Sequence, residues 1–370
     1  MEVNFGRSRE FSVGVEEEFQ LVDAESYELV SRYGEVAEAA GDDGRIKPEL
    51  LQSTVEAATK VAATVGEAIT DAADLRRRLR DAAAENGALI AAAGTHPFSR
   101  YEHQEVTREP RYEQLMESLQ WVAERELIFG LHVHVGLDTG QKAIAVANAL
   151  RSWLPELLAL SANSPYWQGR DTGLASTRTK VFDTMPRSGL PPAFSSFEEF
   201  ELLVDRGVRT RCFPDYTFIW WDLRPHPKLG TIEVRVCDAQ TRLENIAAIV
   251  ALVQGLVSAL AERYDRGQQL PSQPVTLVGE NKWRAARHGL DANLIWLERD
   301  EERAARAALA DLVELAEPSA RRLGSLTELR EVERIATRGT GADEQRQIHA
   351  DAGTLLAVVQ WLAERTTSGV

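Results

Sequence analysis

The chain has 370 residues, 44% of them hydrophobic, with a formal net charge of −15, so it can bury a large core with ordinary globular composition. The negative balance excludes a general binder of nucleic acid or of anionic membrane surfaces, but a nucleotide site needs only local cations and metal ions. Two cysteines, Cys212 and Cys237, cannot build a disulfide framework, so a reducing cytoplasm is the expected setting.

Met1 to Phe11 has no apolar run behind a basic start, which reads as no secretory signal. Phe11 to Val22 then predicts a strand. Val13, Val15, Phe19 and Leu21 share one face, and Glu16, Glu18 and Gln20 the other. A second strand is expected around Leu51–Ala57. Residues 66–86 carry Ala, Leu and Arg at helical spacing, and Ala88–Gly94 is a short apolar strand candidate. Tyr112 to Arg125 reads as a helix, Leu127 to Leu137 as a strand, and Lys142 to Ala162 as one apolar helix. No run of 18 apolar residues suggests a membrane span.

Residues 163–192 are polar and glycine-rich, a length of loop that is usually functional in a compact domain. Strands are expected at Thr217–Leu223 and Thr231–Cys237, with Pro225, Pro227 and Gly230 in the turn between them. Beyond Arg242 the pattern is almost wholly helical. No linker or repeat divides the chain. It reads as one α+β catalytic domain over 1–370, with a helical C-terminal part from about residue 243 packed on a largely antiparallel sheet.

Residues i and i+2 on a strand point the same way, roughly 7 Å apart, so Glu16 and Glu18 project together. Like charges side by side repel unless a cation lies between them, and hard carboxylate oxygens suit Mg²⁺. A solvated strand face is the competing reading. Glu49 and Glu56 could add carboxylates from a neighbouring strand, although a surface acid is the ordinary case. His132 and His134 alternate with valines between Gly130 and Gly136. They suit a metal or carboxylate–metal site, against the alternative of hydrogen-bonded core histidines.

Glu233 and Arg235 share a strand face. They read as a metal carboxylate beside a guanidinium whose planar fork matches phosphoryl oxygens, or as a common cross-strand ion pair. The 163–192 segment adds Arg170, Arg178, Lys180 and Arg187, with Asn163, Ser164, Ser176 and Thr177 as hydrogen-bonding groups. Together they suggest an anion-binding lid. Phosphate-loop, serine-elbow and HExxH motifs do not occur.

Five landmarks in order, GVEEEFQLVD, AAGTHPF, GLHVHVG, SANSPYWQGRDTGLASTR and DLRPHPKLGTIEVRVCDAQT, resemble the type 2 glutamate–cysteine ligase family, the YbdK-like carboxylate–amine ligases, over roughly Phe11 to Asp291. The resemblance implies a glutamine-synthetase-like fold whose curved, mainly antiparallel sheet walls a funnel. It also implies ATP and Mg²⁺ as cofactors, and formation of an amide through an acyl phosphate. On these residues it puts metal ligands at Glu16, Glu18, Glu56 and Glu233, with Glu49 nearby and His132 on the metal or phosphate side. Arg235, with Arg178 and Arg170, would clamp the phosphoryl group; Lys180, Ser176 and Asn163 would contact the nucleotide. The expected partners are a glutamate-like acid and an amino compound, and a homodimer follows the family habit. A phosphotransferase of the guanidino-kinase type, a ligase with another amine acceptor, and a non-catalytic descendant are the alternatives.

Overall fold

The structure is a computed structural model and describes residues 1–41, 43–296 and 299–370. One seven-stranded sheet organises it: β1 (Val13–Asp23), β2 (Ile46–Pro48), β3 (Thr54–Ala58), β4 (Ala88–Ala91), β5 (Gly130–Gly136), β6 (Leu223–His226) and β7 (Thr231–Asp238). The order is β6-β7-β5-β1-β3-β2, with β4 also paired to β1, and every pairing is antiparallel. At 11 residues β1 is long enough to pair with β5 through Val13–Glu17 and with β4 through Gln20–Asp23. This is the expected α+β class, an antiparallel sheet with packed helices.

Strand alternation gives the sheet two chemically different faces. Val13, Val15, Val133, Val135, Ile232 and Val234 point to one side and pack with the helix Leu243–Asp265, whose Ile249, Val253 and Leu256 are fully buried. Burial of each such side chain contributes about 1.5–3 kcal/mol. Leu243–Asp265 and the run Gly140–Ser161 are long and apolar enough to cross a membrane, but 83% and 78% of their most apolar windows lie inside the protein. The helix Leu355–Thr366 packs beside β4 through Val358, Leu362 and Ala363.

Glu17 breaks the alternation, since it falls among the apolar residues of β1. Its partner is Arg76, fully buried on the helix Val65–Glu85, with Nη2 at 2.5 Å from Oε1. The same guanidinium donates to the carbonyl oxygens of Gln240, Thr241 and Thr366. Arg76 thus ties β1, the segment after β7 and the last helix to one point.

Four expected elements differ. The apolar helix over 142–162 is two, Gly140–Leu150 and Leu154–Ser161, with a 3₁₀ turn between them. Pro155 has no N–H to continue the first helix, and its ring clashes with the carbonyl four residues back. Likewise the helix over 112–125 is interrupted at Gln120, whose φ is 50°. The strand expected at 217–223 is a 3₁₀ turn and a two-residue strand, while β6 runs on through Pro225. That proline is tolerated because β6 is the sheet edge, where a missing N–H leaves no ladder bond unmade. Finally, a hairpin, Asn293–Trp296 with Glu301–Ala304, interrupts the helical C-terminal part. Leu297 and Glu298, within the expected helical stretch, lie outside the described residues.

Candidate active site

The second face of the sheet is acidic and looks into a cavity of about 450 Å³. Register alone builds most of its floor. Glu16 stands opposite His132, Glu18 opposite Glu56, Glu233 opposite both His134 and Arg224, and Lys47 opposite Glu56. Six strands therefore present ionisable side chains to one space. The roof is apolar and aromatic, with Tyr112, Leu115, Phe182, Met185, Phe218 and Trp220.

Among the described residues, three groups have ligand atoms all within 4.8 Å of one another: Glu16, Glu56 and His132; Glu16, His134 and Glu233; Glu18, Glu49 and Glu56. His132 Nδ1 lies 3.2 Å from Glu16 Oε2, and His134 Nδ1 lies 3.0 Å from Thr231 Oγ1. The Nε2 atoms of both are buried without a hydrogen-bond partner. With Nδ1 protonated toward Glu16, His132 keeps a bare Nε2 lone pair, the form that binds metal.

The electrostatics agree. Burial, then Glu56 and Glu18, push the Glu49 carboxyl well above its ordinary range. Burial and Glu16 raise Glu56 to about 7, with Lys47 at 2.8 Å opposing. Burial also works against ionised Glu16, yet His134 and His132 hold it well below normal. Crowded hard oxygens plus two orphaned imidazole nitrogens fit a divalent cation such as Mg²⁺.

Glu233 is held more firmly than the sequence suggests. Arg224 grips it with Nε at 2.6 Å from Oε2 and Nη2 at 3.2 Å from Oε1, and Arg235 Nη1 also binds Oε1. Burial opposes its charge, but the two guanidiniums keep its carboxyl well below the usual range. Arg235 Nη1 also lies 3.4 Å from His132 Nδ1, and its buried Nε has no partner. The pairing of β7 with β5 shifts register between Val234 and Cys237, while on the other side Arg235 N–H donates to Asp222 O, just before β6.

The 163–192 segment is not an exposed lid. Asn163, Ser164, Ser176 and Arg178 are buried, and the segment holds three short strand pieces and the helix Thr177–Phe182. Its anchor is Asp238 at the end of β7. Asn163 N, Ser164 Oγ and Ser176 Oγ donate to it at 2.8, 2.7 and 2.9 Å. The Asn163 amide is further engaged with Ala239 O, Thr241 Oγ1 and Gln345. Asn163 and Ser176 therefore spend their polar atoms inside the fold rather than on a nucleotide.

Lys180 pairs with Asp183 at 2.5 Å, and Arg170 lies exposed on a hairpin; neither borders the cavity. Arg187 is also outside it, donating to Phe218 O. Arg178 does border it. Its guanidinium lies over Gly130, where a Cβ would be 2.4 Å from Nη2, and its buried Nε has no partner. The cavity thus gathers Glu16, Glu18, Glu49, Glu56, His132, Glu233, Arg178 and Arg235, and leaves out Arg170, Lys180, Ser176 and Asn163.

Lys47, Glu126, Arg224 and His226 also border it and escape sequence reasoning. Arg224 and His226 alternate along a strand, but the flanking prolines read as a turn. Lys47 and Glu126 carry no local signal.

The profile of the family described as glutamate–cysteine ligase family 2 (GCS2) matches residues 12–360. A protein of Rubrobacter xylanophilus, named provisionally as glutamate–cysteine ligase 2-3, is 47% identical over 370 residues, covering 99% of this chain and 100% of its own. Another from Sorangium cellulosum, named provisionally as glutamate–cysteine ligase 2, is 43% identical over 98% of this chain and 97% of its own. Among solved structures, the glutamate–cysteine ligase of Francisella tularensis in complex with AMP has the same fold. Its TM-score is 0.73 at 13% identity, covering 97% of this chain and 89% of that one. A bifunctional glutathione synthetase from Pasteurella multocida gives 0.71 at 14% identity, over 97% of this chain and 53% of that one.

Proposed function

The chain belongs to glutamate–cysteine ligase family 2, a family of ATP-dependent carboxylate–amine ligases, and we propose that it converts the carboxyl of a glutamate-like acid to an acyl phosphate and couples it to an amino compound such as cysteine. The observation that carries this reading is the convergence of three cation-competent groups and the guanidiniums of Arg178, Arg224 and Arg235 on one cavity.

In this reading Glu18, Glu49 and Glu56 would hold Mg²⁺ through oxygen atoms alone. Glu16 is shared between His132 with Glu56 on one side and His134 with Glu233 on the other. Magnesium held there would supply positive charge for the phosphate oxygens of ATP. Arg235, fixed by Glu233, offers its remaining N–H groups to the same oxygens, and Arg178, whose Nη1 donates to Arg235 O, adds its unpartnered Nε beside it. Arg224 has a different part, since it neutralises Glu233 and keeps it ionised and oriented. The aromatic roof limits water, which matters because an acyl phosphate exposed to it is hydrolysed.

The test is ATP-dependent phosphate release with glutamate and a panel of amino acids and amines, with products identified by mass. A ligase releases phosphate in proportion to amide. Phosphate left on the acceptor would identify a phosphotransferase, and no turnover with any acid–amine pair would overturn the reading.

A further inference from the structure

Six carboxylates border the cavity, and five belong to the three cation-competent groups; Glu126 is the sixth. It lies just before β5, where Leu127 and Phe129 are buried in the apolar cluster behind the wall. Alternation turns Glu126 and Ile128 the other way, and both border the cavity. Glu126 Oε1 is buried and has no hydrogen-bond partner. A buried, unpartnered carboxylate oxygen costs several kcal/mol unless something completes it, so a ligand group with N–H donors is its natural complement.

Building on the ligase reading, we propose that Glu126 receives the ammonium group of the amine acceptor and takes the proton that must leave before nitrogen can attack. The chemistry of that step demands such a group. An ammonium ion has no lone pair. One N–H proton passes to the Glu126 carboxylate, the freed lone pair forms the C–N bond at the acyl carbon, and the C–O bond to phosphate breaks. The second N–H proton leaves with inorganic phosphate, and Glu126 returns its own to solvent. The other cavity carboxylates serve cations or arginines, and a metal-bound oxygen is a poor proton acceptor.

The surroundings suit the role. Arg178 and Arg125 face Glu126 from the positive side and Glu18 from the negative. Burial outweighs the arginines and holds its carboxyl well above the ordinary range, which strengthens its hold on a proton. Arg178, which borders the same cavity with a free Nε, is positioned to keep the acyl phosphate next to the arriving nitrogen.

Hydroxylamine separates this role from all others, because it is uncharged at neutral pH and needs no proton acceptor before attacking an acyl phosphate. Wild type and Glu126→Gln are each given ATP, Mg²⁺ and glutamate, with either hydroxylamine or a pool of the twenty common amino acids, and products are read by mass. Glu126→Gln is expected to keep hydroxamate formation within about threefold while amide formation falls at least tenfold. Equal loss of both products, or an unchanged amide rate, overturns the proposal. A second arm needs no variant. In wild type, at pH values where hydroxylamine stays unprotonated, amide formation should fall with decreasing pH along a limb that hydroxamate formation lacks, and superimposable profiles there would overturn the proposal too. Absence of both products in wild type would instead remove the ligase reading itself.

Discussion

Replacing Arg76 by methionine tests how the catalytic strand is held. The substitution keeps side-chain length and removes the charge. Glu17, with a side chain only 6% exposed, loses its ion-pair partner, and the carbonyl oxygens of Gln240, Thr241 and Thr366 lose donors at 2.7, 2.9 and 3.0 Å. Breaking a buried pair from one side costs about 3–5 kcal/mol, because the remaining charge is neither hydrated nor compensated. Unfolding entropy of roughly 2.1 cal/mol/K per residue gives about 0.8 kcal/mol/K for a chain of this length, so a 4 kcal/mol loss lowers Tm by about 5 °C. Thermal melts followed by circular dichroism measure it. The double variant Arg76→Met/Glu17→Leu removes both charges and should recover at least half of the loss, leaving only the carbonyls unserved. A single-variant cost under about 1 kcal/mol, or a double variant no more stable than the single, would refute the reasoning.

Glu233→Gln should reduce Mg²⁺-dependent phosphate release by at least about 100-fold while circular dichroism stays native, since it removes a charge shared by Arg224, Arg235 and a cation group; unchanged turnover removes Glu233 from the site. Arg235→Lys should lower kcat about 100-fold, because an ammonium cannot reproduce the planar fork, and wild-type kinetics would end the phosphate-clamp role. Gly130→Ala puts a methyl 2.4 Å from Arg178 Nη2, so the guanidinium must swing away. Activity should fall at least about tenfold with little change in Tm, and a fully active variant would show that Arg178's position is immaterial. Glu156, away from the cavity, is raised by burial from 4.5 to about 7. Its protonated form therefore stabilises the fold fully below pH 4.5, and that contribution disappears as pH rises through about 7. It amounts to at most about 3 kcal/mol. Glu156→Gln should abolish this part of the stability profile, and parallel wild-type and variant profiles from pH 4.5 to 7.5 would contradict it.

Period-two alternation in β1, β5 and β7 made Glu16, Glu18, His132, Glu233 and Arg235 legible, because a strand's face is fixed by residue parity alone. The α+β class followed from the same patterns, and the ordered landmarks led to the family. Parity does not say which strands are neighbours, nor in what register. That Glu18 meets Glu56, that Arg224 and not only Arg235 grips Glu233, and that Glu17 pairs with Arg76 from a distant helix are results of long-range pairing. The 163–192 segment is the clearest case. Its composition resembles an anion-binding cover, but Asp238 collects its hydroxyls and a backbone amide and turns them inward. A polar side chain looks the same in sequence whether its partner is a ligand or a buried carboxylate, and only the packed chain decides between them.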